Sequence, residues 1–191
     1  MEIIAINGSP RKEGNTSTIL KTILAGAQSK GAQTVEVPLH NIDLKGCMGC
    51  LSCRKNPGHC RQQDELSPYL EALKTCRAYI IGSPIYMYHV TGQMKIFIDR
   101  VYSLYISREN EPGVYDSAVP PGKPYALVTS QGHPDPERFG KSIRWLAGMT
   151  GGGLGSLEIG RIIHVNSHLK PVKEDEALMA QAWEIGKKLA G

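Results

Sequence analysis

The sequence has no long apolar run. Nothing in it approaches the ~20 apolar residues of a membrane-spanning helix, and its first apolar segment, Ile3 to Ile6, is too short for the hydrophobic region of a secretory leader. A cytoplasmic protein is the expectation. There is no run of five or more basic residues, so nothing beyond a formal net charge of +4 favours nucleic acid. Internal repeats, low-complexity tracts and interdomain linkers are also missing, and 41% hydrophobic with 21% charged residues excludes a disordered or collagen-like chain. One domain over residues 1–191 is expected, long enough to bury roughly 70% of its unfolded surface. A cytoplasmic chain does not build a disulfide framework, so its five cysteines read as metal ligands or redox groups. The slight basic surplus favours anionic small molecules such as phosphates.

What the sequence does contain is an alternation. Short apolar or β-branched runs at Glu2 to Asn7, Thr34 to Leu39, Ala78 to Gly82, Tyr125 to Ser130 and Leu157 to Val165 read as strands. Helix-period segments separate them. These are Thr16 to Lys30, with Ile19, Leu20, Ile23, Leu24 and Ala27 on one face, then Asp64 to Thr75, Thr91 to Leu104, Pro136 to Thr150 and Lys173 to Ala190. Five strands alternating with five helices predict a doubly wound α/β fold, a five-stranded parallel sheet with helices on both faces. Two inserts break the rhythm. Residues 41–63 carry four cysteines and read as a metal loop; residues 105–124, rich in Pro and Gly, read as a lid or an oligomer contact.

After the first strand comes Gly8-Ser9-Pro10-Arg11-Lys12-Glu13-Gly14-Asn15-Thr16-Ser17-Thr18, then a helix. Small polar residues there expose N–H groups and hydroxyls at a helix N-terminus, where orphan donors and the macrodipole favour a phosphate. Gly14 is followed by Asn15 instead of a lysine, so the loop is not a Walker A motif, nor is it G-x-G-x-x-G. A terminal monophosphate fits better than a triphosphate or a dinucleotide, the alternative being a plain helix cap by Asn15 or Ser17. The third strand is expected to stop at Pro84, within Gly82-Ser83-Pro84-Ile85-Tyr86-Met87-Tyr88, where tyrosines could stack on a flat heteroaromatic ring. The fourth ends in Thr129-Ser130-Gln131-Gly132, whose N–H groups could meet a polar ring edge. Cradle, aromatic wall and polar donors come in the order expected for a flavin mononucleotide, FMN. Taken singly, Tyr86 and Tyr88 read first as core or interface packing.

Asn7-Gly8-Ser9-Pro10-Arg11 with Gly14-Asn15-Thr16, then Ser83-Pro84-Ile85-Tyr86, then Gly92-Gln93-Met94-Lys95 with Phe97, Asp99 and Arg100, resembles the NADPH-dependent FMN reductase superfamily of flavodoxin-like proteins. With its cysteine loop the chain is most similar to the iron–sulfur flavoprotein branch. The likeness runs from residue 1 to about Ser130. It implies FMN with its phosphate on Ser9, Arg11, Asn15, Thr16 and Ser17, and its ring beside Ser83, Pro84, Ile85 and Tyr86 and the Thr129, Ser130, Gln131, Gly132 turn. It also implies homodimers or homotetramers.

Cys47, Cys50, Cys53 and Cys60 form C-x2-C-x2-C-x6-C. That spacing can wrap a 4Fe–4S cluster, and Gly46, Gly49 and Gly58 leave the backbone free to bend around one. Zinc and an empty redox-active thiol set are the rivals; the resemblance favours the cluster. Cys76 lies apart and reads as a small buried hydrophobe. His164 and His168 sit four apart, but not on a helix, so no metal is assigned to them. Asp99 and Arg100 read as an ion pair or subunit contact, and His59, His89 and His133 stay unassigned.

The expected function is an FMN-containing oxidoreductase, an iron–sulfur flavoprotein, moving electrons between NAD(P)H or a reduced redox partner and an acceptor such as a flavin or quinone. One alternative is a non-enzymatic carrier docking on ferredoxin. Another is a phosphate-ligand binding domain with structural zinc. No side chain is expected to act as a catalytic acid or base.

Overall fold

The computed structural model describes residues 2–108 and 110–191. In chain order the elements are β1 (Ile3–Asn7), α1 (Asn15–Gln28), β2 (Thr34–Pro38), α2 (Ser52–Lys55), α3 (Ser67–Thr75), β3 (Ala78–Tyr86), β4 (His89–Val90), α4 (Gly92–Val101), β5 (Tyr105–Ser107), β6 (Tyr115–Ser117), β7 (Pro124–Ser130), α5 (Gly140–Thr150), β8 (Leu157–His164) and α6 (Glu176–Ala190). Five of the strands form a parallel sheet in the order β2-β1-β3-β7-β8, and the short β4 adds antiparallel to β3. This is the flavodoxin-like α/β architecture. Among the described residues no helix is long and apolar enough to cross a membrane.

Side chains on a strand alternate between faces, so a strand buried on both sides must be apolar throughout. In β1, Ile4 and Ile6 enter one core with Tyr79, Ile81 and Leu127, while Ile3 and Ala5 enter the other with Ala78, Ile80, Ala126 and Val128. The first core is covered by Leu70 and Leu73 of α3, Met94, Phe97 and Val101 of α4, and Ile143 and Leu146 of α5. The second is covered by α1, through Ile19, Leu20, Ile23, Leu24 and Ala27, and by α6, through Ala182, Ile185 and Leu189. Each fully buried Ile or Leu contributes about 1.5–3 kcal/mol. The two helices of the second layer touch backbone to backbone: a Cβ on Gly186 would overlap the Ile23 carbonyl, and one on Gly26 the Trp183 carbonyl. That contact seats α1, whose first turn follows the loop after β1, directly on α6.

Pro84 does not stop β3, which runs on to Tyr86. The Gly82 carbonyl faces β1 and accepts from the Gly8 N–H at 2.7 Å. Pro84, two residues on, faces the same side, beyond the last β1 pairing at Asn7, where its missing N–H forfeits no ladder bond. β3 then turns into β4 through Met87 and Tyr88, both at positive φ (45° and 68°). The Tyr88 end is held by α5 and the segment before it. Its hydroxyl accepts from Arg138 at 2.7 Å, its carbonyl accepts from Ser142 at 2.6 Å, and its ring meets Phe139 edge-on. The segment 105–124 holds a hairpin of β5 and β6, tied by Arg108 to Asp116 at 2.7 Å.

Candidate functional site

The strand order reverses at β1 and β3, and a cleft opens past their carboxyl ends, as open α/β sheets dictate. Its walls are Ser9, Arg11, Gly14, Asn15 and Thr16 from the first loop, Pro84, Ile85 and Tyr86 from β3, Ser130 and Gly132 after β7, and Ser167 and His168 from the final third. Asn7 organises the first loop. Its Nδ2 donates to Ser17 Oγ at 2.9 Å and to Glu36 at 2.7 Å, and its Oδ1 accepts from the Ser9 N–H at 2.8 Å. Gly14 precedes α1 without any side-chain cap, so the first N–H groups of the helix keep their donors. Thr16 Oγ1 is buried against the cleft with no hydrogen-bond partner. An anion is what this donor set lacks, and a phosphate ester supplies one.

The cleft measures about 100 Å³. That is below the ~300 Å³ of a site that encloses a whole ligand. A ligand larger than a phosphate group would therefore extend out of it along the strand ends.

The other anticipated residues point elsewhere. Ser17 Oγ donates to the Arg11 carbonyl at 2.7 Å, bracing the loop from behind. Ser83 Oγ donates to the Pro84 carbonyl at 2.9 Å and accepts from the Thr91 N–H at 3.3 Å. Thr129 is fully buried, and Gln131 Nε2 donates to the His133 and Asp135 carbonyls. Side chains alternate along β7, so Ser130 reaches the cleft while its neighbours do not. Tyr88 is occupied with Phe139 and Arg138.

The final third contributes walls that the sequence did not announce. Asn15 Nδ2 donates to the Ser167 carbonyl at 3.1 Å, and its Oδ1 accepts from the Val172 N–H at 3.0 Å. His168 lies over Gly132, where any Cβ would meet the imidazole ring. The missing signal was pairing across more than 150 positions, which no local pattern carries.

On the far side of α4, Cys47, Cys50, Cys53 and Cys60 line one small hollow of about 60 Å³, together with Arg100 and Tyr102. The loop bends through positive φ at Gly49 (63°), Leu51 (56°) and Gly58 (83°). Four sulfurs on one zinc would stand about 4 Å apart; among the described residues no three His, Cys, Asp or Glu side chains converge on a single ion. The four cysteines share the lining of that one hollow. Arg100 is fully buried and is the organiser of this wall. Its Nε donates to Cys60 Sγ at 3.1 Å, and its other nitrogens donate to Asp64 at 2.7 Å, the Lys45 carbonyl at 2.9 Å and the Gln62 carbonyl at 3.3 Å. Burial alone would raise the Asp64 pKa, but hydrogen bonds from Arg100, the Lys45 N–H and Ser67 outweigh it and hold the carboxyl at about 2. Asp99 and Arg100 do not pair with each other: Arg100 pairs with Asp64 at 2.7 Å, and Asp99 with Lys95 at 2.6 Å. Cys76 is buried as expected, and burial pushes its thiol pKa up. The Lys123 ammonium beside it caps α3 through the Leu73, Lys74 and Cys76 carbonyls.

The sequence pattern of the family described as NADPH-dependent FMN reductase matches residues 1–136. Iron–sulfur flavoprotein MJ1083 of Methanocaldococcus jannaschii is 36% identical over 100 residues, 52% of this chain and 51% of that protein. An iron–sulfur flavoprotein of Archaeoglobus fulgidus is 34% identical over 119 residues, 62% of this chain and 53% of that protein. The chain thus spans about half the length of the curated relatives it matches. Among solved structures, an NAD(P)H:quinone oxidoreductase from Methanothermobacter marburgensis superposes with a TM-score of 0.76 at 14% identity, covering 99% of this chain and 98% of its own. An archaeal flavodoxin gives 0.55 at 18% identity, covering 100% and 96%. At these identities what is shared is the fold.

Proposed function

The chain belongs to the NADPH-dependent FMN reductase family, and from that premise we propose that it is an FMN-dependent oxidoreductase taking electrons from NADH or NADPH and passing them to an acceptor such as a flavin or quinone. The observation that carries this reading is the donor set at the start of α1, uncapped N–H groups and the unpartnered Thr16 hydroxyl beside Arg11. Ser9, Arg11, Asn15, Thr16 and the first-turn N–H groups of α1 would hold the phosphate end. Pro84, Ile85, Tyr86, Ser130 and Gly132 would border the ring. Ser17, Ser83 and Gln131 would act behind them through hydrogen bonds to backbone groups, while Thr129 is buried with its hydroxyl unpartnered.

Cys47, Cys50, Cys53 and Cys60 would hold an iron–sulfur cluster, a reading supported by their shared hollow and by relatives named iron–sulfur flavoproteins. A bound flavin would supply hydride acceptance and a cluster single-electron transfer. The chain's own part is to fix both groups: Arg100 anchors the Cys60 side of the loop, and the Asn15 bridge holds the final third against the cleft. Homodimers or homotetramers fit an aromatic hollow of about 590 Å³ beside Cys47, walled by Tyr102, Tyr105, Tyr115, Trp145 and Met149.

A specific observation favours the second reading, an electron carrier for a protein partner such as ferredoxin. Lys45, Arg54, Lys55 and Arg61 are exposed around the cysteines, and no Asp or Glu occurs from Leu44 to Gln63, so this one loop carries a charge equal to the chain's whole surplus of +4. Among the described residues none of the four makes an ion pair. Such a patch attracts an acidic surface.

An absorption spectrum of protein purified without oxygen, followed by stopped-flow mixing with NADH, NADPH and reduced ferredoxin, tests the proposal. Flavin absorbance bleached quickly by a nicotinamide supports the reductase, and bleaching by ferredoxin alone supports the carrier. A colourless protein that takes up no FMN would end both, and zinc in the metal analysis would return the phosphate-binding reading.

A further inference from the structure

β7 and β8 end side by side at Ser130 and His164, and the two side chains meet with Ser130 Oγ 2.9 Å from His164 Nδ1. The other ring nitrogen, Nε2, lies 3.0 Å from the Lys170 carbonyl. A carbonyl only accepts, so Nε2 carries the hydrogen. The ring is 2% exposed, and that burial favours the neutral imidazole, which leaves Nδ1 as a bare acceptor. Ser130 must therefore spend its single O–H on His164. Toward the cleft, where Ser130 forms part of the wall, its oxygen has only lone pairs to offer.

We propose that His164 is a positioning residue that fixes Ser130 as a hydrogen-bond acceptor, so that the cleft selects a ring edge presenting an N–H donor. The inference rests on the FMN reading. The oxidised isoalloxazine ring has one N–H, the imide N3–H between two carbonyls, and that is the group Ser130 would receive. His164 touches no ligand in this scheme; it acts through Ser130.

The test loads flavin-free protein with FMN and, separately, with 3-methyl-FMN, in which a methyl replaces the imide hydrogen. Wild-type protein should bind the methylated flavin about 10- to 100-fold more weakly, the range of an acceptor left unpaired. Ser130→Ala should lose most of that gap while binding FMN itself less tightly. With nitrogen-15-labelled FMN, the N3 proton should be visible by NMR and slow to exchange in wild type, and should shift upfield and exchange faster in His164→Phe. A role confined to packing would alter stability without moving that proton. Equal affinities for the two flavins, or an N3 proton unchanged by both substitutions, would overturn the inference while leaving the FMN reading intact. Failure to bind FMN at all would overturn both. Ser130→Ala, a small change at a strand end, keeps the test decisive should His164→Phe fail to fold.

Discussion

Arg100 donates from Nε to the sulfur of Cys60, 40 positions earlier in the chain, at 3.1 Å. The same guanidinium holds Asp64, and both charged groups are shut off from water. A helix residue thus sets the position of a loop that has little regular structure of its own. Arg100→Leu strands the Asp64 carboxylate in the interior, and breaking such a pair costs about 3–5 kcal/mol. The expected result is a thermal midpoint lower by roughly 10 °C and faster amide exchange across residues 45–64. Arg100→Lys should recover only part of the loss, because a lysine cannot fork between Cys60 and Asp64. A midpoint unchanged in Arg100→Leu would show that the pair is dispensable.

Acid should unlock the same wall. The Asp64 pKa is lowered in the folded chain from the ordinary 3.8 to about 2, so the unfolded state binds the proton more readily. Its contribution is complete above the unfolded value and is lost as pH falls through the folded one, between about 4 and 2. It amounts to about 2 kcal/mol. Urea melts at stepped pH should show that slope in wild type and not in Asp64→Asn, which starts from lower stability at neutral pH.

Thr16 separates binding from folding. Its hydroxyl is buried without a partner, so Thr16→Val removes no contact from the flavin-free chain. Stability of that form should hold or rise by about 1 kcal/mol, while FMN affinity falls about 10-fold. Fluorescence titration beside a thermal melt measures both, and undiminished affinity would remove Thr16 from the phosphate site.

Cys53→Ala should abolish bound iron and spare FMN. Iron and flavin analysis of the same preparation gives the answer, and retained iron would count against the ligand assignment.

Gly186→Ala should destabilise by about 1–3 kcal/mol, since the added methyl must push α6 away from the Ile23 carbonyl. Because α1 carries the cleft donors, FMN affinity should fall with it. A neutral melt would mean that the two helices separate without strain.

The layers of this fold were legible because the signals are local. Ile3 to Ile6 form an unbroken apolar run, and Ile19, Leu20, Ile23 and Leu24 keep a helical period whatever lies elsewhere. The reach of β3 past Pro84 was not, because it depends on where the neighbouring β1 ends. Residue type placed Ser9, Arg11 and Thr16 at the cleft, but it could not tell that Ser17, Ser83, Thr129 and Gln131 turn inward. For β7 a usable signal existed: strand alternation puts Thr129 and Gln131 opposite Ser130. Arg100 reads in the sequence as part of an ion pair or a subunit contact, and nothing local names its partner, Asp64, 36 residues away.

The amide of Asn15 joins the first loop to Ser167 and Val172, the latter 157 positions downstream. During synthesis the opening strand and helix emerge from the ribosome long before those partners exist. A nascent chain can therefore collapse its early layers while one wall of the cleft is still untranslated, and the pocket reaches its finished outline only after residue 172 has cleared the exit tunnel.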